Sequence, residues 1–287
     1  MEHWLCKMNE ALQYIEDNLT GEIIVEEAAK RALCSSFNFQ RMFSYMADVS
    51  LGDYIRRRRL TMAAMELLTA DTRVIDVALK YGYESPVSFA RAFYAMHGMN
   101  PSEVKRPGAK IKSYSRISFE ITIKGVEAMN YYVKELDEFR LIGYKERIPL
   151  ANGENFKRIP DMWDRISEDG RYDTLMERND NLKLACLGVC ANGNDKEFDY
   201  YIATGSDHPL LEGMEELIVS PATYVIFECV GKMPEAQQKV WKRIFTEFFP
   251  TSGYEITDEP QMEWYSQGDP SSEEYMSQIW IPVLKKA

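Results

Sequence analysis

Histidine and cysteine are scarce in this chain, and neither is placed for chemistry. The three histidines (His3, His97, His208) stand too far apart to share a site. The five cysteines (Cys6, Cys34, Cys186, Cys190, Cys229) are odd in number and scattered. Cys186 and Cys190 have three residues between them, but no other Cys or His is near enough to complete a zinc ligand set. Buried, reduced thiols are the expectation. No metal, no cofactor and no catalytic residue is expected. Also missing is any apolar run of the roughly 18 residues that a membrane span needs. The opening Met1-Glu2-His3-Trp4-Leu5-Cys6-Lys7 lacks the basic-then-apolar layout of a secretion signal. A cytoplasmic protein without a membrane partner is the expectation.

Positive charge is short in one half only. Residues 1–116 carry 16 Lys and Arg against 14 Asp and Glu, a balance of +2. Residues 117–287 carry 18 against 31, a balance of −13, and together the halves make the overall −11. An acidic protein is a poor nonspecific DNA binder, so any DNA contact must be local and geometric. With 287 residues and 45% hydrophobic content the chain can bury a real core, and its length favours two domains.

What the chain does have is one helix pair written twice. Ala28, Lys30, Ser35, Phe39, Arg41, Phe43 and Met46 recur as Ala78, Lys80, Ser85, Phe89, Arg91, Phe93 and Met96. In each copy Phe, Phe and Met fall at i, i+4 and i+7 on one helix face, and the Arg points away from it. A short helix, a turn and a second helix with an apolar seam and a polar ridge describe a helix-turn-helix.

In copy one, Val25 to Ala32 reads as the first helix, and Ser35 or Ser36 caps a second one running to about Met46. Its outward residues are Phe37, Asn38, Gln40, Arg41 and Ser44. Gln and Arg can pair with adenine and guanine edges, and Phe37 suits a thymine methyl or a sugar. Ordinary solvated polar residues are the alternative reading. In copy two, a helix from Val74 to Tyr81 precedes Gly82, and Ser85 caps a helix to His97 with Pro86 in its first turn. Its outward residues are Pro86, Val87, Ser88 and Arg91. Only Ser88 and Arg91 hydrogen-bond strongly, so this copy is expected to read sequence less sharply. Between the copies, Ser50-x-x-Asp53 predicts a capping box for a helix from Leu51 to about Leu68. That helix spans roughly 27 Å, enough to set two reading helices about one DNA turn apart, roughly 34 Å. Arg56 to Arg59 lie in it, with one or two expected on phosphate and the rest on nearby acids.

These residues resemble the DNA-binding domain of the AraC/XylS family of bacterial transcription regulators. The resemblance rests on Glu27-Ala28-Ala29, Phe37-x-x-Gln40-Arg41-Met42-Phe43, Leu51-Gly52-x-Tyr54-Ile55-Arg56-x-Arg58-x-Leu60, Ala78-x-x-Tyr81-Gly82-Tyr83-x-Ser85 and Phe89-x-Arg91-x-Phe93, closing with Gly98-x-Asn100-Pro101-Ser102-Glu103. It implies that the positions of Phe37, Gln40 and Arg41, and of Pro86, Val87, Ser88 and Arg91, face bases. Pro86 and Val87 depart from the more polar residues often found there.

Past Pro107-Gly108 the helical pattern stops, and Lys110 to Ser115 reads as a polar linker. Phe119 to Lys124 alternates as a half-buried strand should. Beyond it, strand, helix, strand, strand is expected twice. The first unit takes Tyr132–Leu136 and Leu141–Glu146, a helix around Ile159–Ile166, then Leu184–Ala191 and Phe198–Thr204. The second takes Thr223–Val230, a helix Pro234–Phe249, then Gln261–Ser266 and Met276–Val283. Trp163-Asp164-Arg165-Ile166 and Trp241-Lys242-Arg243-Ile244 occupy matching helix positions. The expected fold is thus multidomain: an all-α tandem helix-turn-helix domain (1–107), a linker (108–117), and an α+β pseudo-twofold (βαββ)2 domain (118–287) with a cleft between its halves.

This second half resembles the GyrI-like effector-binding domain. The carrying residues are Pro221-Ala222-Thr223-Tyr224-Val225-Ile226-Phe227, Gly231-Lys232-Met233-Pro234, Trp241-Lys242-Arg243-Ile244-Phe245, Ser252-Gly253-Tyr254, Met262-Glu263-Trp264-Tyr265 and Ile279-Trp280-Ile281-Pro282. The combined layout is similar to the Rob-type multidomain regulators. The resemblance implies that Glu263 is the carboxylate that meets cationic ligands. A carboxylate among aromatics carries a desolvation cost until a positive partner arrives. Trp163, Phe227, Trp241 and Tyr265 can offer such a cation their ring faces. A structural ion pair is the alternative for Glu263, and plain core packing for the aromatics.

Double-stranded DNA, a small cationic or amphipathic effector and RNA polymerase are the partners this reading expects. Two other readings compete. The acidic half can hydrolyse a small electrophile with Tyr265 or Tyr224 beside Glu263, or it can imitate DNA charge and inhibit a DNA-binding protein. Both leave the duplicated helix pair idle.

Overall fold

The computed structural model describes residues 2–120, 128–181 and 184–285. Six helices come first: α1 (Glu2–Asp17), α2 (Val25–Arg31), α3 (Ser36–Ala47), α4 (Leu51–Thr69), α5 (Val74–Lys80) and α6 (Pro86–His97). Three serines start three of them. Ser35 accepts from the Asn38 amide, Ser50 from Asp53 and Ser85 from Ser88. The α1 helix was not foreseen, although Met8, Ala11, Leu12 and Ile15 form a buried stripe on it against Ala28, Phe39 and Phe43. The second pair, α5 and α6, builds its own core from Ala78, Phe89 and Phe93 against Leu60, Ala63, Ala64 and Leu67 of α4.

The 50-residue repeat slips by one in the first helix of each pair. The Cys34 amide bonds the Ala29 carbonyl as the Tyr83 amide bonds Ala78, so Ala78 matches Ala29 rather than Ala28. The turn residues Leu33 (φ 57°) and Gly82 (φ 78°) are both left-handed and equivalent. Copy two inserts its extra residue before Ser85. A Cβ at Gly82 would also lie 2.7 Å from an Arg59 guanidinium nitrogen, so the end of that side chain would have to shift.

The four consecutive arginines all have partners. Arg56 pairs with Asp53 and Arg57 lies over the Tyr114 ring. Arg58 bonds Glu16 and the Tyr114 carbonyl, and Arg59 bonds the carbonyls of Leu19 and Gly21. They brace the helices here. The expected linker is stitched down as well: the amides of Lys112, Tyr114 and Ile117 bond His97, Thr61 and Tyr54. Asn9 bonds both the amide and the carbonyl of Phe119, so Phe119 and Glu120 begin no strand. The rest of that expected strand, from Ile121, lies outside the described residues.

The remaining chain forms β1 (Tyr131–Leu136), β2 (Phe139–Pro149), α7 (Asn155–Glu168), α8 (Arg171–Met176), β3 (Leu187–Ala191), β4 (Glu197–Gly205), β5 (Glu215–Val219), β6 (Ala222–Val230), α9 (Glu235–Arg243), a π turn (Ile244–Phe248), α10 (Phe249–Ser252), β7 (Tyr254–Ile256), β8 (Gln261–Tyr265) and β9 (Met276–Lys285). All pairings are antiparallel in the order β1-β6-β9-β8-β3-β4-β2-β5, with β7 on the end of β9. The two expected units appear as β2-α7-β3-β4 and β6-α9-β8-β9, back to back across the β3–β8 pair. The 131–136 strand does not belong to the first unit. It pairs with β6 and extends the second, as the unforeseen β5 extends the first.

The α7 helix begins a turn earlier than expected. Pro160 inside it gives no N–H to the Phe156 carbonyl, and Phe156 is half exposed, where water can serve instead. The long second-unit helix widens into a π turn just before Pro250, another way of absorbing a missing donor.

Candidate functional site

Strand alternation turns Gln261, Glu263 and Tyr265 toward the helices and sends Met262 to the opposite face of the sheet. Glu263 pairs with Gly188 of β3 on one side and Ile279 of β9 on the other, so it stands beside the local twofold. Its carboxylate accepts from Trp241 Nε1 at 2.7 Å and from the Tyr265 hydroxyl at 2.8 Å. The matching tryptophan of the first unit, Trp163, donates its Nε1 to the Tyr200 hydroxyl at 2.8 Å and stands edge-on to Tyr265, 5.2 Å between centroids. Gly188 makes this possible: a Cβ there would lie 2.4 Å from the Tyr200 hydroxyl. Burial pushes the Tyr200 and Tyr265 phenols well above their ordinary pKa.

Trp163, Trp241, Tyr265 and Glu263 are therefore brought together, as the sequence suggested. Phe227 is placed elsewhere, packed under α9 against Tyr131 and Phe248. Tyr200 faces this site and Tyr201 the other side of the sheet.

The cleft between the two units is filled by α3. Phe37, Asn38 and Arg41, outward from the first helix-turn-helix, are buried against the sheet domain rather than exposed, with 7%, 2% and 7% of their surface accessible. Phe37 packs on Phe198 at 5.3 Å and sits over Gly193, where a Cβ would meet its ring at 2.3 Å. The Asn38 amide donates to Asp258 and accepts from Gln261, and Gln40 donates to the Asp195 carbonyl. Tyr45 stacks on Trp241 at 4.8 Å and 10°. Asp48 pairs with Lys242 at the rim.

Arg41 is the centre of this contact. Its Nη1 donates to Cys190 Sγ at 3.0 Å, while its buried Nε has no partner. The guanidinium carbon lies 5.3 Å from the Trp241 ring centroid, 5.5 Å from Phe37 and 5.6 Å from Tyr45. Burial opposes its charge, but Cys190, Tyr45 and Glu263 favour that charge more and hold the Arg41 pKa above its ordinary value. Burial likewise pushes the Cys190 thiol up to about 11, so at neutral pH it meets Arg41 as a neutral thiol. The pocket seats a desolvated cation, and Arg41 is that cation here.

The second copy is arranged differently. Pro86, Val87, Ser88 and Arg91 are all exposed on α6, Val87 at 67%. Tyr45, Cys190, Tyr200, Gln261 and Asp258 also contribute, and no motif in the sequence marked them. Phe37, Arg41 and Tyr45 stand at i, i+4 and i+8, a stripe outside the helix-turn-helix core that a solvated helix would not need. That spacing was the available signal.

Among the described residues no group of three or more His, Cys, Asp or Glu is placed to hold a metal. No described helix is long and apolar enough to cross a membrane.

Residues 28–107 match a helix-turn-helix domain family, and residues 132–283 match the family described as integron-associated effector binding protein. The transcriptional activator AarP of Providencia stuartii is 42% identical over 95 residues, 33% of this chain and 70% of AarP. The regulatory protein SoxS of Escherichia coli K12 is 33% identical over 98 residues, 34% of this chain and 92% of SoxS. Among solved structures, SAV2435 bound to tetraphenylphosphonium is 25% identical with a TM-score of 0.50, covering 54% of this chain and 94% of that one. The chain belongs to the AraC family of transcription regulators, with a tandem helix-turn-helix followed by a GyrI-like effector-binding domain.

Proposed function

We propose that this regulator senses a lipophilic organic cation through Glu263, Trp241, Trp163 and Tyr265, with Phe227 in the apolar core that Trp241 also joins. The observation that carries the reading is the carboxylate held by two aromatic donors with a desolvated positive group seated nearby. The tetraphenylphosphonium bound by SAV2435 is a cation of this class. Calorimetric titration with tetraphenylphosphonium tests it: the full chain should bind, and Glu263→Gln should lose most of the affinity.

DNA is read, in this account, by Phe37, Asn38, Gln40 and Arg41 of α3 and by Pro86, Val87, Ser88 and Arg91 of α6, on successive major-groove segments. Residues 1–107 form the reading unit, 108–117 the linker and 118–287 the sensor. RNA polymerase in the cytoplasm is the partner through which binding acts. We read the pocket as a binding site rather than a catalytic one. Tyr265 stays a neutral phenol that donates to Glu263, which disqualifies it as a general base at neutral pH. Tyr224 donates to the Pro260 carbonyl and packs with Met262, on the far side of the sheet from Glu263.

A further inference from the structure

We propose that α3 is the sensor pocket's own competitor: Arg41 and the effector cation exclude one another there, so effector binding releases the first DNA-reading helix. This rests on the cationic-effector reading above.

The groups engaged are those that DNA would need. The Asn38 amide is used on Asp258 and Gln261, Gln40 on Asp195, and Arg41 on Cys190 and three rings. None of these side chains can serve the tail and a base edge at once. The contrast with α6 is internal to the molecule, because the same motif fifty residues later is open. Copy one is therefore covered by something added to the motif, and that something is the tail.

The seat is shaped for this occupant yet does not satisfy it. Gly193 leaves room for Phe37, and Trp241 offers Tyr45 a parallel face. Arg41 brings five donors into a buried place, bonds a weak thiol acceptor, and leaves Nε unpaired. A buried charge so sparsely hydrogen-bonded is a poor permanent structural element. A fully substituted lipophilic cation such as tetraphenylphosphonium has no N–H groups to leave unpaired, so it can displace Arg41 from the same rings and the same carboxylate. Competition of this kind lowers effector affinity by the fraction of molecules with α3 undocked, and by reciprocity DNA on α3 raises it.

The experiment uses the full chain, tetraphenylphosphonium as probe, and Gly193→Val. Valine there wedges α3 off its seat by meeting the Phe37 ring, and it leaves every reading residue and Glu263 unsubstituted. Amide exchange of residues 36–47 should rise about tenfold or more on saturation with the cation, while residues 86–97 stay unchanged. Gly193→Val and Arg41→Ala should each bind the cation about tenfold more tightly than the parent. If the cation binds but exchange in α3 and the affinities of both variants match the parent, the competition is overturned and the sensor reading stands. If the cation binds none of the three proteins, the cationic-effector reading fails instead. The occlusion is then decided by DNA affinity, on duplexes selected from a random pool by Gly193→Val. About tenfold tighter binding than the parent supports occlusion, and equal affinity overturns it.

Discussion

Arg41 and Arg91 hold the same place in two copies of one motif, yet Arg41 is 7% exposed beneath the sheet domain and Arg91 is open to solvent. Both follow a Phe two positions earlier and precede another two later, so each helix-turn-helix core has fixed its arginine identically. The difference comes from far downstream, where Cys190, 149 residues on, meets Arg41 and Asp258 meets Asn38.

Arg91→Ala should weaken DNA binding by about 1–3 kcal/mol if it reads a guanine edge. Stability should move by no more than about 0.5 kcal/mol, since the side chain is exposed and away from the core. Gel-shift titration beside thermal melting checks both.

Arg58 and Glu16 form a largely buried pair, with 11% and 9% of their side-chain surfaces accessible. Burial raises the Glu16 pKa, but its bonds from Arg58 and Tyr54 outweigh this and leave it below the ordinary 4.5. The stabilisation is thus complete above pH 4.5 and is lost as pH falls through the lower folded value. Glu16→Gln should cost about 3 kcal/mol at neutral pH. In urea melts its deficit against the parent should shrink as the pH is lowered below 4.5; a constant deficit contradicts the assignment.

The equivalent turn residues Leu33 and Gly82 make a paired test. Gly82→Ala should destabilise by about 1–2 kcal/mol or more, because a left-handed backbone gains a Cβ against Arg59. Leu33→Gly relieves the same conformation at an exposed position and should stabilise by about 0.5–1 kcal/mol. Denaturant midpoints with unchanged slopes report the two signs.

Glu263→Gln should remove the charge that a cation needs and reduce tetraphenylphosphonium affinity at least tenfold, about 1.4 kcal/mol. The amide can still accept from Trp241 or Tyr265, so the fold should persist with an unchanged circular dichroism spectrum.

Much of this was legible locally. The Phe-Phe-Met spacing gave both helix-turn-helix second helices, serine caps marked their starts and that of the helix between them, and the matched Trp163 and Trp241 revealed the internal repeat of the sheet domain. Glu263 was found through a resemblance, because a single acid in a short strand has no periodicity of its own. The one-residue slip between copies was invisible, since a turn can absorb a residue without disturbing either apolar seam. The docking of α3 was invisible for a different reason. It depends on two surfaces far apart in sequence fitting each other, and its only local trace was the Phe37, Arg41, Tyr45 stripe.

The most direct test is a hydroxyl-radical footprint of the full chain on its operator, with and without saturating tetraphenylphosphonium. Without the cation, one major-groove segment should be protected, by α6 alone. With it, two segments about ten base pairs apart should be protected. An identical footprint in both conditions, at a cation concentration shown to fill the site, would contradict the release of α3.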